Sequence, residues 1–197
     1  MDTGTLLSYW PQALSVKASA TVRYVFDASH ASLPLYFAVK KKHGYSLTNP
    51  DTFVAALRRV VEEVAAGYDM VVYPESRFSF VSELVNNLPA QQLRKRRKAQ
   101  VIELAMANAG WSKQERQSQE RCWQEMGESF TINLVKANQR KCYVPYLFEP
   151  LGVGQQRVLF VDDFIMSGNT QAAAWAAMGL PEGDSFGVFH QSGYKKS

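Results

Sequence analysis

The sequence contains few cysteines and no long apolar run. Cys122 and Cys142 are the two cysteines among 197 residues, and they lack the Cys-x-x-Cys spacing of zinc and redox sites. A reducing cytoplasm is the simplest location for such a chain. No stretch of 18 apolar residues occurs, and residues 1–7 lack a basic leader before an apolar core. We therefore expect neither a membrane span nor a cleaved secretion signal.

Three catalytic motifs are also missing. There is no Gly-x-x-x-x-Gly-Lys-Ser/Thr loop, no His-Glu-x-x-His motif and no Gly-x-Ser-x-Gly elbow. These absences argue against a P-loop ATPase, a zinc metalloprotease and a serine hydrolase of the common kinds. The chain does contain 46% hydrophobic residues, enough for one large core, and we expect a single domain over residues 1–197.

The most informative stretch lies near the end of the chain, at residues 158–170. Its first four residues, Val-Leu-Phe-Val, form a continuous apolar run typical of a strand that is buried on both faces. Asp162 and Asp163 follow at once, at the carboxyl end of that strand, where open α/β sheets bind ligands. Two adjacent carboxylates can each accept hydrogen bonds from the vicinal hydroxyls of a sugar.

A small polar turn completes this stretch. Ser167, Gly168, Asn169 and Thr170 precede a predicted helix over residues 171–178. A turn at a helix N-terminus presents backbone N–H groups that can hold a phosphate. A ligand with a diol at one end and a monophosphate nearby fits both halves, so we expect a phosphorylated ribose.

Two other interpretations of the acidic pair stay open. A strand that ends in two acids also opens response-regulator receiver domains, although only 27 residues follow Thr170 and that fold needs several more strands and helices. The acids can also form an ordinary solvated turn at the end of a strand.

Residues 158–170 resemble the phosphoribosyl pyrophosphate (PRPP) motif of type I phosphoribosyltransferases, in which an apolar strand, two acids and a Thr/Ser-Gly-Gly-Thr loop follow one another. The sequence departs from that motif at Asn169, where the family usually has Gly. Asn is the residue that next best tolerates a left-handed backbone. The resemblance implies a 5-phosphate loop that consists of Met166, Ser167, Gly168, Asn169 and Thr170.

The resemblance also implies roles for the acids and for a metal. Asp162 and Asp163 are expected to orient the ribose diol and to be catalytic residues. Mg²⁺ is expected as the cofactor, held mainly by PRPP itself, with any contact to these two acids running through water. A homodimer is implied on the same basis.

A second half-site is expected on a neighbouring strand, because PRPP also carries a pyrophosphate. Residues 69–73 indicate a short buried strand, and Glu75, Ser76 and Arg77 follow it. The resemblance implies that this loop binds the pyrophosphate. Arg77 is the expected catalytic cation, since a guanidinium presents a fork of donors that matches phosphate oxygens. Ser76 could instead cap a helix that runs toward Leu88.

The order of predicted elements indicates an α/β fold with a central, mostly parallel sheet flanked by helices. An N-terminal hairpin or hood is expected within residues 1–48, formed by strands over 21–27 and 33–39, and a helical insert is expected at 90–142. Helices are also predicted from Asn49 to Gly67, over 98–108 and over 112–126. Further strands are predicted over 143–148 and 185–190.

The strongest charge feature is the run of five basic residues from Arg94 to Lys98, in a chain of net charge +4. Three interpretations stay open: a mobile lid that closes over PRPP, a nucleic-acid contact and a solvated helix face. The smaller basic cluster from Lys40 to His43 is expected to be a loop tip in solvent.

Two functions from different classes follow. The first is a PRPP-dependent phosphoribosyltransferase of nucleotide metabolism, which transfers ribose 5-phosphate to a nucleobase or a related nitrogen nucleophile and releases pyrophosphate. The second is a noncatalytic regulator on the same fold that binds PRPP or, through residues 94–98, nucleic acid. Both stay open at this point, because a fold does not fix a function.

Overall fold

The computed structural model describes residues 5–7, 14–29, 32–127 and 130–191. These residues form two compact units. The first holds the described residues up to Gln92, together with Gly154–Met166 and the described residues from Gly183 on, and the second holds Leu93–Val153 and Ser167–Glu182. Parts of the predicted hairpin region, at 1–4, 8–13 and 30–31, lie outside the described residues.

The strands and helices are as follows. The strands are β1 (Thr5–Leu7), β2 (Lys17–Ser19), β3 (Val22–Asp27), β4 (Tyr45–Leu47), β5 (Met70–Pro74), β6 (Ala90–Leu93), β7 (Val158–Ile165) and β8 (Ser185–His190). The α-helices are α1 (Leu33–Val39), α2 (Pro50–Ala65), α3 (Phe80–Leu84), α4 (Lys98–Asn108), α5 (Lys113–Glu125) and α6 (Asn169–Met178). Three short 3₁₀ helices lie at Ile132–Leu134, Ala137–Cys142 and Val144–Tyr146.

A six-stranded sheet organises the first unit. Its strand order is β2-β3-β8-β7-β5-β6, and a separate two-stranded sheet pairs β1 with β4. The pairs β3–β8, β8–β7 and β7–β5 are parallel, whereas β2 is antiparallel to β3. The prediction of an α/β protein with a mostly parallel sheet flanked by helices is therefore confirmed.

The helix before β5 forms where its sequence pattern predicts. Pro50 occupies the first turn, where its missing N–H costs no hydrogen bond, and Asn49 stands at the N-cap position. The residues at 3.6-residue spacing are buried against the sheet: Phe53, Leu57, Val60, Val61 and Val64. This apolar face places the start of β5 at a fixed position beside β7, with Met70 opposite Val158.

The prediction of a strand over residues 33–39 is wrong, because these residues form α1. Leu33, Leu35, Phe37 and Val39 alternate as in a strand, but Pro34 lies in the first turn of the helix. A proline lacks the N–H that a strand pair needs and fits the start of a helix. The hairpin that does form joins β2 and β3, with Lys17 opposite Tyr24 and Ser19 opposite Val22.

The prediction of a strand over residues 143–148 is also wrong. Residues 144–146 form a 3₁₀ turn around Pro145, and the segment makes one isolated bridge between Lys95 and Phe148. Proline again explains the difference, since it cannot donate to a strand ladder. The parallel core contains β3 in its place, while β6, with its polar sequence Ala-Gln-Gln-Leu, carried no strand signal.

The second unit is mainly helical, as predicted for the insert at residues 90–142. Ser112 and Glu115 form a reciprocal capping box at the start of α5: the Glu115 N–H donates to Ser112 Oγ at 3.3 Å, and the Ser112 N–H donates to Glu115 at 2.8 Å. The core of the insert packs α4 and α5 around two tryptophans: Val101, Ala105, Trp111, Trp123, Met126, Val135 and Tyr143. None of the helices in the described part of the chain is both long and apolar enough to cross a membrane.

Candidate functional site

The two acids lie on β7, which is a central strand of the sheet. Val158 to Val161 are buried, as the apolar run predicts. The strand does not end at Val161, however, because its pairing with β8 continues through Asp162 opposite Gly187 to Ile165 opposite His190. Asp162 and Asp163 are therefore inside the strand rather than at its end, and they lie on its carboxyl-terminal half.

Each of the two carboxylates has a defined environment. Asp162 is 9% exposed, and its Oδ1 accepts a hydrogen bond from the Asp163 N–H at 2.8 Å. The Asp163 carboxylate forms an ion pair with the ammonium of Lys40, and both side chains are largely buried, at 14% and 8% exposure. In this enclosed setting a charge needs a partner, and Lys40 supplies it for Asp163.

The position of Lys40 corrects a sequence prediction. A solvent-exposed loop tip was expected from Lys40 to His43, and Lys41, Lys42 and His43 are indeed exposed, but Lys40 is 7% exposed. The reason is that Lys40 caps the C-terminus of α1, which points it toward β7. Sequence reasoning missed this residue because it treated α1 as a strand, and Pro34 was the available signal.

Lys40 contacts both Asp163 and the loop after β5. Glu75, Ser76 and Arg77 are exposed, and Ser76 Oγ accepts a hydrogen bond from the Phe78 N–H at 3.2 Å. The Lys40 ammonium lies 4.8 Å from the centre of the Phe78 ring. Because β5 and β7 are parallel neighbours, this loop and the acids share the carboxyl edge of the sheet.

Ser76 is not a helix cap, which was the alternative for this loop. The short helix α3 begins at Phe80, and its N-cap residue is Ser79. Ser76 instead closes a local turn with Phe78. The predicted pyrophosphate loop therefore remains outside the helix, with its three polar residues exposed to solvent.

A cluster of aromatic side chains packs next to the two acids. The Tyr36 ring lies 5.0 Å from the Phe164 ring and 5.4 Å from the Phe189 ring. Burial raises the pKa of the Tyr36 hydroxyl above its ordinary value, and the negative charge of Asp162 acts in the same direction. Tyr36 therefore keeps its proton at neutral pH and can serve as a hydrogen-bond donor near the acids.

The predicted phosphate loop begins the last helix of the second unit. Gly168 has a left-handed backbone, at φ +70°, and Ser167 Oγ accepts a hydrogen bond from Asn169 Nδ2 at 3.0 Å. The helix α6 begins at Asn169, two residues earlier than predicted. The left-handed residue is thus Gly168, and Asn169 does not need the unusual conformation that its place in the motif suggested.

The first turn of α6 has the general features of an anion site. Its first intrahelical hydrogen bond runs from the Ala172 N–H to the Gly168 carbonyl at 2.8 Å. In general, the N–H groups of the first turn of an α-helix lack acceptors within the helix. Met166, Ser167, Gly168, Asn169 and Thr170 are all half-buried. Met166 belongs to the first unit and the other four residues to the second.

A surface cavity of about 510 Å³ lies away from these residues, at the amino ends of the strands of the first unit. Arg157 pairs with Asp69 at 3.2 Å beside it, and the Tyr68 hydroxyl donates to Asp184. Since ligands of open α/β sheets bind at the carboxyl ends of the strands, this cavity is not the candidate site. Its paired charges fix the start of β7 instead.

The basic run from Arg94 to Lys98 does not form a helix face, which was one of its three interpretations. Arg94 to Arg97 lie in an extended segment before α4, in which the Arg96 N–H donates to the Leu147 carbonyl at 3.0 Å, and Lys98 is the first residue of that helix. The Lys98 ammonium donates to the carbonyls of Trp123 and Gly127. Arg94, Lys95 and Arg97 are exposed. The run therefore divides into two residues that hold the second unit together and three that face solvent.

The fold and the candidate site together define an α/β protein with a mostly parallel sheet and two adjacent carboxylates on the carboxyl half of its central strand. A scan against protein-family models found no match to this chain. A search of the curated proteins likewise found no match.

Proposed function

We propose that this protein is a PRPP-dependent phosphoribosyltransferase, which transfers ribose 5-phosphate to a nucleobase or a related nitrogen nucleophile and releases pyrophosphate. The observation that carries the proposal is the pair Asp162 and Asp163 on a central parallel strand, at the sheet edge where the loop after β5 also lies. A cytoplasmic location and a homodimer belong to the same proposal.

Each part of the ligand has a proposed partner. The carboxylates of Asp162 and Asp163 accept hydrogen bonds from the ribose diol, and Ser76 and Arg77, with Glu75 beside them, line the pyrophosphate. The 5-phosphate is assigned to the loop from Ser167 to Thr170.

The proposed reaction needs positioning more than covalent chemistry. The lone pair of the nucleophile attacks C1 of the ribose while the bond from C1 to the pyrophosphate oxygen breaks, and the bonding electrons leave with pyrophosphate. Arg77 stabilises the negative charge that develops on this leaving group. The carboxylates hold the ring so that the nucleophile and the leaving group lie on opposite sides of C1.

Mg²⁺ fits this site through the chemistry of its donors. Carboxylate and phosphate oxygens are the ligands that Mg²⁺ prefers. The Asp163 carboxylate is already paired with Lys40, so direct coordination by Asp163 would require displacing that ammonium. In the described residues, no three His, Cys, Asp or Glu side chains form a group that could hold a metal. When bound with PRPP, the metal would supply charge neutralisation at the pyrophosphate.

Pyrophosphate release tests this proposal directly. The wild-type protein, given PRPP, Mg²⁺ and a panel of purine and pyrimidine bases, is expected to release pyrophosphate with at least one base. Arg77→Ala is expected to lower kcat/KM by about 10- to 100-fold, because a charge-assisted hydrogen bond to the leaving group is lost. Arg59→Ala, which removes an exposed arginine on α2, is the matched control and should leave the rate unchanged.

One result would contradict the proposed function, and a second would contradict only the role of Arg77. One is a folded wild-type protein that binds PRPP but releases no pyrophosphate with any base, which would favour the noncatalytic regulator. The other is an Arg77→Ala variant that keeps the full rate, which would remove Arg77 from its proposed role while leaving the reaction in place.

The exposed part of the basic run favours a second candidate, a regulator that binds nucleic acid. Arg94, Lys95 and Arg97 are exposed on an extended segment, whereas Arg96 and Lys98 are used inside the second unit. At most three phosphates can therefore be neutralised by this run. A logarithmic plot of affinity against salt for single-stranded RNA should have a slope of about −2 from these three residues.

The triple variant Arg94→Ala/Lys95→Ala/Arg97→Ala measures that contribution. If this candidate is correct, the variant loses the salt-dependent part of RNA binding assigned to the run. Lys113→Ala/Arg116→Ala/Arg121→Ala removes the same charge from exposed positions on α5 and serves as the control. Equal salt slopes for the wild type and the first variant would exclude the run as a nucleic-acid contact.

A further inference from the structure

Lys40 lies so close to Asp163 that a ligand bound to the Asp163 carboxylate would also contact the Lys40 side chain. Its ammonium pairs with the Asp163 carboxylate on one side and lies 4.8 Å from the Phe78 ring centre on the other. Phe78 belongs to the loop after β5, directly behind Ser76 and Arg77. The lysine thus stands between the residues proposed for the diol and those proposed for the pyrophosphate, and all of these residues belong to the first unit.

The backbone after α1 holds Lys40 in this position. The Lys42 N–H donates to the Phe37 carbonyl at 2.9 Å, and the Lys41 N–H donates to the Ala38 carbonyl at 3.2 Å. This pair of hydrogen bonds is the Schellman motif, which normally carries glycine at the left-handed position. Here Lys41 takes that position, at φ 50°, and His43 is left-handed as well, at φ 53°. Two of the three residues from Lys41 to His43 thus have a left-handed backbone, which costs conformational free energy in a residue other than glycine. The rest of the fold maintains the shape of this turn despite that cost.

The chemistry of PRPP connects these observations. Its diol and its pyrophosphate are on neighbouring carbon atoms, whereas the 5-phosphate is at the other end of the sugar. A cation that touches the carboxylate bound to the diol therefore has the pyrophosphate as its nearest anionic partner. We propose that Lys40 is a substrate-binding residue that contacts the pyrophosphate of PRPP, an inference that rests on the proposed function.

This role has a physical advantage in the free protein. Lys40 neutralises Asp163 while no ligand is present, so the enclosed carboxylate is not left uncompensated. When PRPP binds, the hydroxyl groups of the diol donate hydrogen bonds to the Asp163 carboxylate, and the Lys40 ammonium donates hydrogen bonds to oxygens of the pyrophosphate. Both the Asp163 carboxylate and the Lys40 ammonium therefore have a polar partner before and after PRPP binds.

Calorimetric titration with two ligands tests this inference. PRPP with Mg²⁺ carries the pyrophosphate, and ribose 5-phosphate lacks it. Lys40→Met is expected to lower the affinity for PRPP by about tenfold or more, because a charge-assisted contact is lost, and to change the affinity for ribose 5-phosphate much less. Lys42→Met, at an exposed lysine 5.8 Å from the same Phe78 ring, should change neither affinity.

The outcomes separate the inference from the proposed function. If the wild type binds neither ligand, the proposed function fails and this inference fails with it. If the wild type binds both ligands and Lys40→Met weakens both equally, or neither, only the inference is overturned. Lys40→Arg keeps the positive charge and should restore part of the PRPP affinity.

A variant that does not fold would still leave the question answerable. Lys40→Met removes the positive charge that pairs with the largely buried Asp163 carboxylate, and this loss can destabilise the fold. The double variant Lys40→Met/Asp163→Asn avoids the problem because it removes both charges together. Its ratio of PRPP to ribose 5-phosphate affinity is then compared with that of Asp163→Asn alone. A lower ratio in the double variant supports the pyrophosphate contact, and an equal ratio overturns it.

Discussion

Replacing both acids of β7, as Asp162→Asn/Asp163→Asn, is expected to weaken PRPP binding by at least about 100-fold. Each carboxylate is proposed to accept a charge-assisted hydrogen bond from the ribose diol, and such a bond contributes about 1.5–3 kcal/mol. Two of them correspond to about two decades or more in Kd. Competition between PRPP and a labelled analogue, with Mg²⁺ present, measures the change.

The controls for this experiment follow from the ion pair with Lys40. Asp163→Asn removes the carboxylate that pairs with the enclosed Lys40 ammonium, so circular dichroism must show that the double variant is folded. Asp162→Asn alone keeps that ion pair and should still weaken binding by about tenfold. Asp51→Asn/Glu63→Gln removes the same charge from exposed positions on α2. Unchanged PRPP binding by a folded double variant would remove the acids from the site.

Tyr143→Phe is expected to destabilise the second unit by about 2–5 kcal/mol, although it removes a single oxygen atom. The Tyr143 hydroxyl is fully buried; it accepts a hydrogen bond from Trp123 Nε1 at 2.7 Å and donates one to Gln119 Oε1 at 2.8 Å. The substitution leaves both partners buried without their bond, and each such group costs about 1–3 kcal/mol.

Denaturant unfolding followed by tryptophan fluorescence measures this loss, since Trp111 and Trp123 report on the same core. Tyr146→Phe removes a hydroxyl from a half-buried tyrosine of the same unit and should change the unfolding free energy by less than about 0.5 kcal/mol. Equal effects of the two substitutions would contradict the buried network. Burial also raises the pKa of Tyr143, so the hydroxyl keeps its proton in this network up to strongly alkaline pH.

The parts of the fold that could be predicted are those where one local signal dominates. The helix α2 follows from Asn49, Pro50 and its apolar spacing, and α4 follows from its periodicity. The strand β8 follows from Phe186, Val188 and Phe189, which make residues 185–190 rich in aromatic and β-branched side chains. In these segments the local preference and the tertiary packing agree, so the sequence alone is sufficient.

Predictions failed where two periodicities coincide or where a proline decides. Residues 33–39 alternate like a strand but also place Leu35, Tyr36 and Val39 on one helical face against the sheet, and the helix forms. Pro145 likewise prevents the strand predicted over 143–148. In both segments a single proline outweighs the pattern of apolar residues, because it removes a backbone donor.

The residues of the candidate site come from the sequence and stay a prediction, whereas the contacts among them come from the structure. The acids and the turn at Gly168 were identified from their residue types and spacing, whereas the loop after β5 was identified from the resemblance to type I phosphoribosyltransferases. The pairing of Lys40 with Asp163 joins residues far apart in the chain, so no local pattern contains it. It depends on α1, whose correct assignment would have placed a cation at a helix end facing the sheet.

The central claim is that this protein binds PRPP at the acids of β7, and calorimetric titration of the wild type with PRPP and Mg²⁺ tests it most directly. We expect saturable binding that is lost when both acids are replaced and weakened when Mg²⁺ is removed by a chelator. A folded wild-type protein that gives no binding heat with PRPP at any concentration up to the millimolar range would contradict the account.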